Sequence, residues 1–397
     1  MSSNADILSL IGRDKPLFAA DIESKSTLIS DLVNNNRFLV IGGAGSIGQS
    51  VVKEIFKRKP KVLHVVDLSE NNMVELVRDL RSSIGYIDGD FKTFSIDCGS
   101  SIFEALLKFH GPYDYVLNLS ALKHVRSEKD PFTLMRLIEV NILNTLSTID
   151  LTKHSLKKYF CVSTDKAANP ANMMGASKRI MEMFLVEKSE HVGISTARFA
   201  NVAFSDGSLP HGFNQRLQQK QPLSAPSDIL RYFVTSQEAG ELCLLSCLLG
   251  DSGDIFFPNN NQLIPTSFSD IAIRLLESKG YEAVTCESEE EARTRVAELE
   301  AKNKWPCYFS ASDTTGEKPC EEFFTETETV DLTRFQDIGV VGNTHYNESK
   351  ILSEFLCAIE GFRESGCWNK GDIVVLFNKV LPDFVHNEAG KYLDEKM

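Results

Sequence analysis

The stretch FLVIGGAGSIG, residues 38–48, decides the fold. Its apolar part, Phe38 to Ile41, is a predicted strand, and glycines follow at positions 42, 45 and 48 as a helix predicted over Ile47 to Arg58 begins. Glycine permits a tight turn and lets backbone N–H groups approach a diphosphate, whose charge is favoured at a helix amino end. Because the motif follows a strand and opens a helix, it predicts a dinucleotide-binding turn rather than a purely structural one.

A carboxylate at the expected distance supports this prediction. Asp67 follows the second predicted strand, nineteen residues after Gly48, where it can accept hydrogen bonds from the adenosine ribose hydroxyls. The next five residues, 68–72, contain no Arg or Lys to meet a ribose 2′-phosphate, so NAD is favoured over NADP. Asp97, after the third strand, could accept from the adenine amino group, and a solvated strand-end aspartate is an equally simple interpretation.

Strands and helices alternate from residue 37 to residue 199. The predicted strands are Phe38–Ile41, Val62–Val66, Lys92–Ile96, Tyr115–Asn118, Lys158–Val162 and Ile194–Phe199. The predicted helices between them are Ile47–Arg58, Asn71–Ser83, Ile102–Phe109, Thr133–Thr152 and Met174–Glu190. Such alternation predicts an α/β fold with a Rossmann-like, doubly wound parallel sheet.

Four regions are predicted along the chain. Residues 1–35 are an N-terminal helical extension, and residues 36–204 form the NAD-binding domain, to which 231–257 return. Residues 205–230, rich in Gly, Pro, Ser and Gln, and 258–330 form a smaller substrate-binding domain, in which 288–302 is a charged, solvated helix. Residues 331–397 form a C-terminal helical extension whose apolar stripe covers a core or a second subunit, and we expect a homo-oligomer.

Composition excludes several classes. A net charge of −13 and a pI near 5.2 argue against a nucleic-acid-binding protein. The nine cysteines form no C-x-x-C pair, so we expect free thiols in a reducing cytosol and no metal site. No window approaches eighteen apolar residues, and residues 1–14 lack the pattern of a secretory signal, so we expect a cytoplasmic protein without a membrane partner.

The candidate chemistry lies after the strand predicted over Lys158 to Val162. Ser163-Thr164-Asp165-Lys166 falls at the carboxyl end of that strand, where open α/β sheets bind ligands. Lys178 lies four residues after Met174, the spacing of a Tyr-x-x-x-Lys pair in which lysine lowers the tyrosine pKa. A thioether cannot act as a base, and taken alone the segment could equally be a polar loop before an amphipathic helix.

Five blocks together carry a resemblance to a known family. They are Gly42 to Gly48, Asn118-Leu119-Ser120-Ala121-Leu122-Lys123-His124-Val125, Ser163 to Lys178, Arg198-Phe199-Ala200-Asn201-Val202 and Gly316-Glu317-Lys318. In this order they resemble extended short-chain dehydrogenases acting on nucleotide sugars, and more narrowly the N-acetylglucosamine 4,6-dehydratases. The branch resembled is the one of legionaminic-acid and bacillosamine synthesis, in which Met replaces the catalytic Tyr and the C5 configuration is retained.

The resemblance implies a redox-neutral reaction. A hydride leaves C4 to NAD, the ketone acidifies the C5 proton, the C6 hydroxyl departs as water, and the hydride returns to C6. By resemblance, Asp165 protonates the departing C6 oxygen, Lys166 is the base at C5, and Thr164 hydrogen-bonds the C4 oxygen. Lys178 bridges the nicotinamide ribose hydroxyls, and Met174 leaves open which group accepts the C4 hydroxyl proton, with Asp165 our choice.

The resemblance also implies two binding sets. The cofactor set is Gly42, Gly45, Ser46, Ile47, Gly48, Asp67, Ser69, Asp97, Ser120 and Lys178. The substrate set is Lys123, His124, Asn201, Arg231, Glu317 and Lys318, although a histidine such as His124 is more often a packed or loop residue than a catalyst.

Several functions remain open from the sequence. The favoured substrate is UDP-N-acetylglucosamine, for surface glycan or nonulosonic acid synthesis in bacteria. GDP is the alternative carrier. A nucleotide-sugar 4-epimerase or reductase on the same scaffold, or a non-catalytic NAD-binding sensor, is the alternative function.

Overall fold

A computed structural model describes residues 4–259, 263–342 and 348–392. In chain order the strands are β1 (Arg37–Ile41), β2 (Val62–Asp67), β3 (Asp90–Ser95), β4 (Tyr115–Asn118), β5 (Lys158–Thr164), β6 (Ile194–Phe199), β7 (Asn201–Val202), β8 (Leu223–Pro226), β9 (Leu230–Arg231), β10 (Phe233–Val234), β11 (Ile255–Pro258), β12 (Thr266–Ser267), β13 (Glu282–Thr285), β14 (Lys304–Ser310), β15 (Thr329–Asp331) and β16 (Ile338–Gly342). The helices are α1 (Asn4–Leu10), α2 (Ala19–Ser24), α3 (Ser26–Asn34), α4 (Ser46–Phe56), α5 (Glu70–Ser83), α6 (Ser101–His110), α7 (Pro131–Ile138), α8 (Asn144–Thr152), α9 (Met173–Lys188), α10 (Leu209–Gln218), α11 (Ser236–Leu249), α12 (Phe268–Ser278), α13 (Glu289–Thr294), α14 (Val296–Glu300), α15 (Ser349–Ser365) and α16 (Lys370–Val380).

The main sheet has the order β15-β16-β11-β6-β5-β4-β1-β2-β3. Its strands from β11 to β3 run parallel, while β16 and β15 are antiparallel to their neighbours. Helices cover both faces, so the central strands are continuously apolar, as in Phe38–Ile41. The Rossmann-like fold predicted from the sequence is confirmed.

The strand order reverses between β1 and β4, which is where such sheets bind ligands. The register sets Ile41 of β1 beside Asn118 of β4, so both strands end together. Two apolar layers support this edge: α4 and α11 pack on one face of the sheet, and α7, α9, α15 and α16 pack on the other.

The smaller region is built on a parallel sheet of order β13-β14-β8. Helix α12 packs on it through Ile271 and Leu275. Helix α1 adds Leu8 to the same core, so the N-terminal extension is part of this packing. Arg13 extends the connection through a buried ion pair with Glu238, 2.6 Å apart.

The structure differs from the sequence prediction in four places. The segment 329–342 supplies two strands to the main sheet, so the C-terminal helices begin at Ser349 and not at residue 331. The helix predicted over 133–152 is interrupted by a wider turn, Glu139–Leu143. The segment 205–230, for which no helix is predicted, contains α10, and the charged segment 288–302, predicted as one helix, forms two short helices. Residues 343–347 and 393–397 of the predicted C-terminal extension lie outside the described residues.

Helix length and polarity bear on membrane insertion. Within the described part of the chain, no helix has both the length and the apolar character needed to cross a bilayer.

Candidate active site

The turn after β1 forms a glycine cradle at the edge where the strand order reverses. Gly42 has φ +73°, a conformation that L side chains rarely adopt, and a Cβ there would lie 2.7 Å from Ser120 N. A Cβ at Gly48 would collide with the carbonyl oxygen of Gly42. Gly45 immediately precedes α4 and has no side chain to cap its first-turn N–H groups. The turn therefore lies close to the loop after β4, and the amino end of α4 has no side-chain cap from Gly45.

Asp67 at the end of β2 holds this turn. Its Oδ2 accepts from Ala44 N and its Oδ1 from Ser69 N, each at 2.9 Å. Ser69 in turn caps α5 by accepting from Asn72 N at 3.3 Å. One carboxylate thus ties the glycine turn to the start of α5.

Asp97, the residue predicted to contact the adenine, contacts neighbouring residues in the structure. Asp97 accepts from Gly99 N at 2.8 Å and lies 3.4 Å from Arg136 of α7. Its role toward an adenine stays a prediction.

Lys123 and His124 lie in a loop beside the glycine turn. Lys123 Nζ donates to the carbonyl oxygen of Asp206 at 2.8 Å, and Asp206 N donates to Ser46 Oγ at 3.0 Å. Burial lowers the pKa of both Lys123 and His124. The contact of Lys123 with Asp206 therefore connects this loop to α4 of the cofactor cradle. Asn201 in β7 donates its N–H to Tyr232 O at 3.0 Å.

The acid/base cluster follows β5. Asp165 Oδ1 accepts three hydrogen bonds: from Thr164 Oγ1 at 2.8 Å, from Lys166 N at 2.8 Å and from Lys166 Nζ at 3.1 Å. Asp165 Oδ2 is buried and accepts none from the described residues. A compact acid and amine pair is present, with one carboxylate oxygen uncommitted.

Glu321 is the group that the sequence analysis missed. Its side chain is 2% exposed, and its Oε1 lies 3.6 Å from Lys166 Nζ and 3.7 Å from Arg231. Burial raises its pKa, the charge of Asp165 adds to the rise, and Lys166 opposes it. For Lys166, burial alone would lower the pKa, but Asp165 and Glu321 outweigh burial and raise it. The amine is therefore held as an ammonium between two carboxylates.

Three predicted substrate-binding residues converge on the same place. Arg231 donates to the carbonyl oxygens of Leu230 and Lys318, each at 2.8 Å, and pairs with the Glu317 carboxylate. Lys318 donates to the carbonyl oxygen of Asn169 and lies 4.0 Å from Glu321. A diphosphate reaching Arg231 would have to displace Glu317.

Helix α9 carries Met174 and Lys178 behind the cluster. Asn172 caps the helix by accepting from Gly175 N at 2.8 Å. Met174 is 4% exposed. Lys178 Nζ donates to the Val162 carbonyl oxygen at 2.9 Å, and burial lowers its pKa. Lys178 is thus anchored on β5, and its predicted contact with a nicotinamide ribose stays a prediction.

A second buried ionic group lies beneath the site. Arg198 of β6 donates to Glu182 Oε2 and Glu328 Oε2, each at 2.7 Å, and to Glu328 Oε1 at 2.8 Å. Arg179 adds another donor to Glu328 at 2.8 Å, and Ser163 donates to Glu182 at 2.5 Å. This group joins β5, β6 and α9 to the segment that carries Glu321.

Three curated relatives are similar in sequence to more than half of this chain. MJ1061 of Methanocaldococcus jannaschii, described as an uncharacterized membrane protein, is 29% identical over 79% of this chain and 87% of its own. CapD of Staphylococcus aureus, a capsular polysaccharide biosynthesis protein, is 30% identical over 69% of this chain, which spans 45% of CapD. The inverting UDP-N-acetylglucosamine 4,6-dehydratase of Campylobacter jejuni is 26% identical over 57% of this chain and 68% of its own.

Solved structures share the fold. Pen from Bacillus thuringiensis aligns with a TM-score of 0.63 at 22% identity, covering 78% of this chain and 88% of Pen. WbmF of Bordetella bronchiseptica, solved with NAD+ and UDP, aligns with a TM-score of 0.50 at 22% identity over 63% of this chain and 79% of WbmF. The family described as "Polysaccharide biosynthesis protein" matches residues 38–342, from β1 through β16, and this chain belongs to that family.

Proposed function

We propose that the protein is an NAD-dependent 4,6-dehydratase of a nucleotide-activated N-acetylglucosamine, with UDP-N-acetylglucosamine as substrate and retention at C5. The observation that carries the proposal is the cluster of Thr164, Asp165 and Lys166 at the end of β5, in which Asp165 is buried, with buried Met174 on α9 behind it. By resemblance, Met174 takes the position of a catalytic tyrosine. A dehydratase among the relatives and the family description support the coarser activity, a nucleotide-sugar enzyme of polysaccharide synthesis.

The residues present fit NAD. Gly42 and Gly48 form a cradle that a Cβ would fill, α4 presents its amino end, and Asp67 is fixed where a ribose would lie. When bound there, NAD would supply the acceptor for the C4 hydride and the donor that returns it to C6. The solved complex of WbmF with NAD+ supports the choice of cofactor.

The chain's own groups divide the proton transfers. Thr164 Oγ1 bonds Asp165, so the C4 hydroxyl proton has a short route to that carboxylate. Asp165 then protonates the C6 oxygen as it leaves, and Lys166 takes the C5 proton once C4 is a ketone. Positioned acid/base groups of this kind contribute about 10²- to 10⁴-fold each.

Met174 underlies the stereochemical proposal. A thioether can neither give nor take the C5 proton, so Lys166 both removes it and returns it from one face. The product should keep the C5 configuration, unlike that of the inverting relative.

The substrate-binding residues are assigned to two groups. We propose that Arg231, Glu317 and Lys318 meet the diphosphate side, with Glu317 releasing Arg231 on binding. We assign Lys123, His124 and Asn201 to the sugar end, because Lys123 contacts Asp206, which in turn contacts Ser46 of α4. These assignments rest on the contacts described above.

Mass spectrometry of the products from UDP- and GDP-N-acetylglucosamine tests the activity. Loss of one water without net formation of NADH is expected from the UDP sugar. An unchanged mass with altered chromatography would indicate an epimerase, stoichiometric use of NADH a reductase, and no product from either sugar a sensor. Each of these outcomes would replace the proposal.

Nuclear magnetic resonance of product formed in deuterated water tests retention. One deuterium at C5 with unchanged ring stereochemistry is expected. Inversion at C5 would show that a group other than Lys166 reaches the opposite face.

A further inference from the structure

The Glu321 carboxyl group lies next to the proposed base but makes no hydrogen bond that the structure records. Its Oε1 is 3.6 Å from Lys166 Nζ, just beyond hydrogen-bond distance. Its Oε2 is buried and accepts no hydrogen bond from any described residue. A buried carboxylate oxygen without a hydrogen bond destabilises the protein unless a ligand or a proton satisfies it.

Lys166 faces a chemical difficulty. Only a neutral amine can remove the C5 proton, yet Asp165 and Glu321 together favour the ammonium. The proton on Lys166 must leave before elimination and must have a destination. Asp165 is engaged with the C4 and C6 oxygens in the proposed reaction, and the other carboxylate that the structure records within 4 Å of Lys166 Nζ is Glu321.

We propose that Glu321 is that destination: it accepts the Lys166 proton during elimination and returns it afterwards. The inference rests on the proposed function and deepens it. First a Lys166 Nζ–H bond breaks as an O–H bond forms on Glu321, leaving a neutral amine and a neutral acid. The amine then takes the C5 proton, returns it to C5, and recovers its own proton from Glu321.

The surrounding charges favour this role. Arg231 at 3.7 Å and Lys318 at 4.0 Å keep a resting Glu321 carboxylate tolerable. Asp165 lies on the other side of Lys166 and opposes a second negative charge so close by. Oε2 can carry the new proton without breaking any existing hydrogen bond. Glu321 acts through Lys166 and is therefore a positioning residue.

The proposal has a kinetic consequence. If the proton stays within the Lys166–Glu321 pair, a turnover releases no net proton to solvent, and kcat is flat over about pH 6 to 8. Without the Glu321 carboxyl, Lys166 must lose its proton to solvent. The kcat should then rise about tenfold per pH unit until the amine is neutral.

The experiment compares four proteins: wild type, Glu321→Gln, Glu321→Asp and the control Glu326→Gln, an exposed glutamate of the same segment. At pH 7, Glu321→Gln should lose about 10- to 100-fold in kcat with little change in KM, and its log kcat should rise with a slope near one. Glu321→Asp should keep a flat profile at reduced kcat, and Glu326→Gln should match wild type. A flat profile in Glu321→Gln, or a slope near one in Glu321→Asp, would overturn the proposal.

Two measurements distinguish a failure of the proposed function from a failure of the proposal for Glu321. If wild type dehydrates neither nucleotide sugar, the proposed function fails and Glu321 is not at issue. Folding of each variant is checked by thermal unfolding and by retention of bound NAD. Should Glu321→Gln not fold, wild type alone decides: a flat kcat profile supports the proton pair, and a slope near one overturns it.

Discussion

Two glutamates seven residues apart, Glu321 and Glu328, are equally buried but differ in pKa. Their side chains are 2% and 3% exposed. Burial alone would raise the pKa of Glu328, yet hydrogen bonds and charge from Arg198 and Arg179 lower it to about 2. Burial raises the pKa of Glu321, and its cationic neighbours do not offset burial, because they lie at 3.6 Å or more and none donates a hydrogen bond that the structure records. Direct hydrogen bonds, more than burial, therefore decide whether the pKa of a buried carboxyl group is lowered, as in a structural ion pair, or raised.

The largest expected effect comes from removing Arg198, the buried cation that pairs with Glu182 and Glu328. Arg198→Met leaves Glu182 and Glu328 buried with one fewer guanidinium, which should cost about 3–5 kcal/mol of unfolding free energy. Urea denaturation at pH 7 measures the loss. Arg78→Met is the matched control, since the Arg78–Glu75 pair is 69% and 67% exposed and should contribute at most about 1 kcal/mol. Equal losses of unfolding free energy in Arg198→Met and Arg78→Met would contradict the expected difference between the buried and the exposed ion pair.

The next largest effect on the free energy of unfolding is expected from removing the Glu328 carboxylate. Glu328→Gln should cost about 2–3 kcal/mol at pH 7. The folded pKa of about 2 lies below the ordinary value of 4.5, so this stability is present above pH 4.5 and is lost as pH falls toward 2. Unfolding followed from pH 7 down to pH 3 should show wild type and variant converging. A constant gap at every pH would contradict the assigned pKa.

The sequence could predict what local spacing determines. The distance from Gly42 to Asp67 predicts the cradle because one strand and one helix separate them. Asp165 and Lys166 are adjacent in the chain, so their pairing needs no knowledge of the fold. The boundary at residue 331 was wrong because the apolar run Ile338–Gly342 pairs antiparallel with β11, a contact between distant segments.

Glu321 could not be found from spacing. It lies in a segment, 311–328, that forms no regular helix or strand among the described residues. Its position depends on tertiary contacts, above all the hydrogen bond from Arg231 to the Lys318 carbonyl oxygen. The available signal was a second acidic residue shortly after the Gly316-Glu317-Lys318 block, and charge alone does not distinguish Glu321 from exposed Glu322.

A third buried glutamate tests whether hydrogen bonding explains the difference. Burial raises the pKa of Glu241 to about 7, opposed by a hydrogen bond from Gln237 Nε2 at 2.9 Å and by the charge of Lys57. The folded pKa lies above the unfolded value, so stability falls as pH rises from 4.5 through 7. Glu241→Gln should therefore be more stable than wild type above about pH 7, by about 1–2 kcal/mol, with the gain vanishing at low pH. Thermal unfolding at acidic and alkaline pH checks this, and a gain at low pH would contradict it.

The smallest effect on the free energy of unfolding is expected at Glu321 itself, because its substitution has one stabilising and one destabilising consequence. Glu321→Gln relieves the burial of a carboxylate without hydrogen bonds, and it also removes the attraction to Lys166 and Arg231. The net change at neutral pH should be about 1 kcal/mol or less. Since the folded pKa is raised, the variant should gain on wild type as pH increases above the ordinary value of 4.5, opposite in sign to Glu328→Gln. Thermal unfolding of both variants over one pH series decides the matter: parallel slopes would show that the two carboxylates are alike, and the large loss of turnover in Glu321→Gln would then have to come from a displaced Lys166.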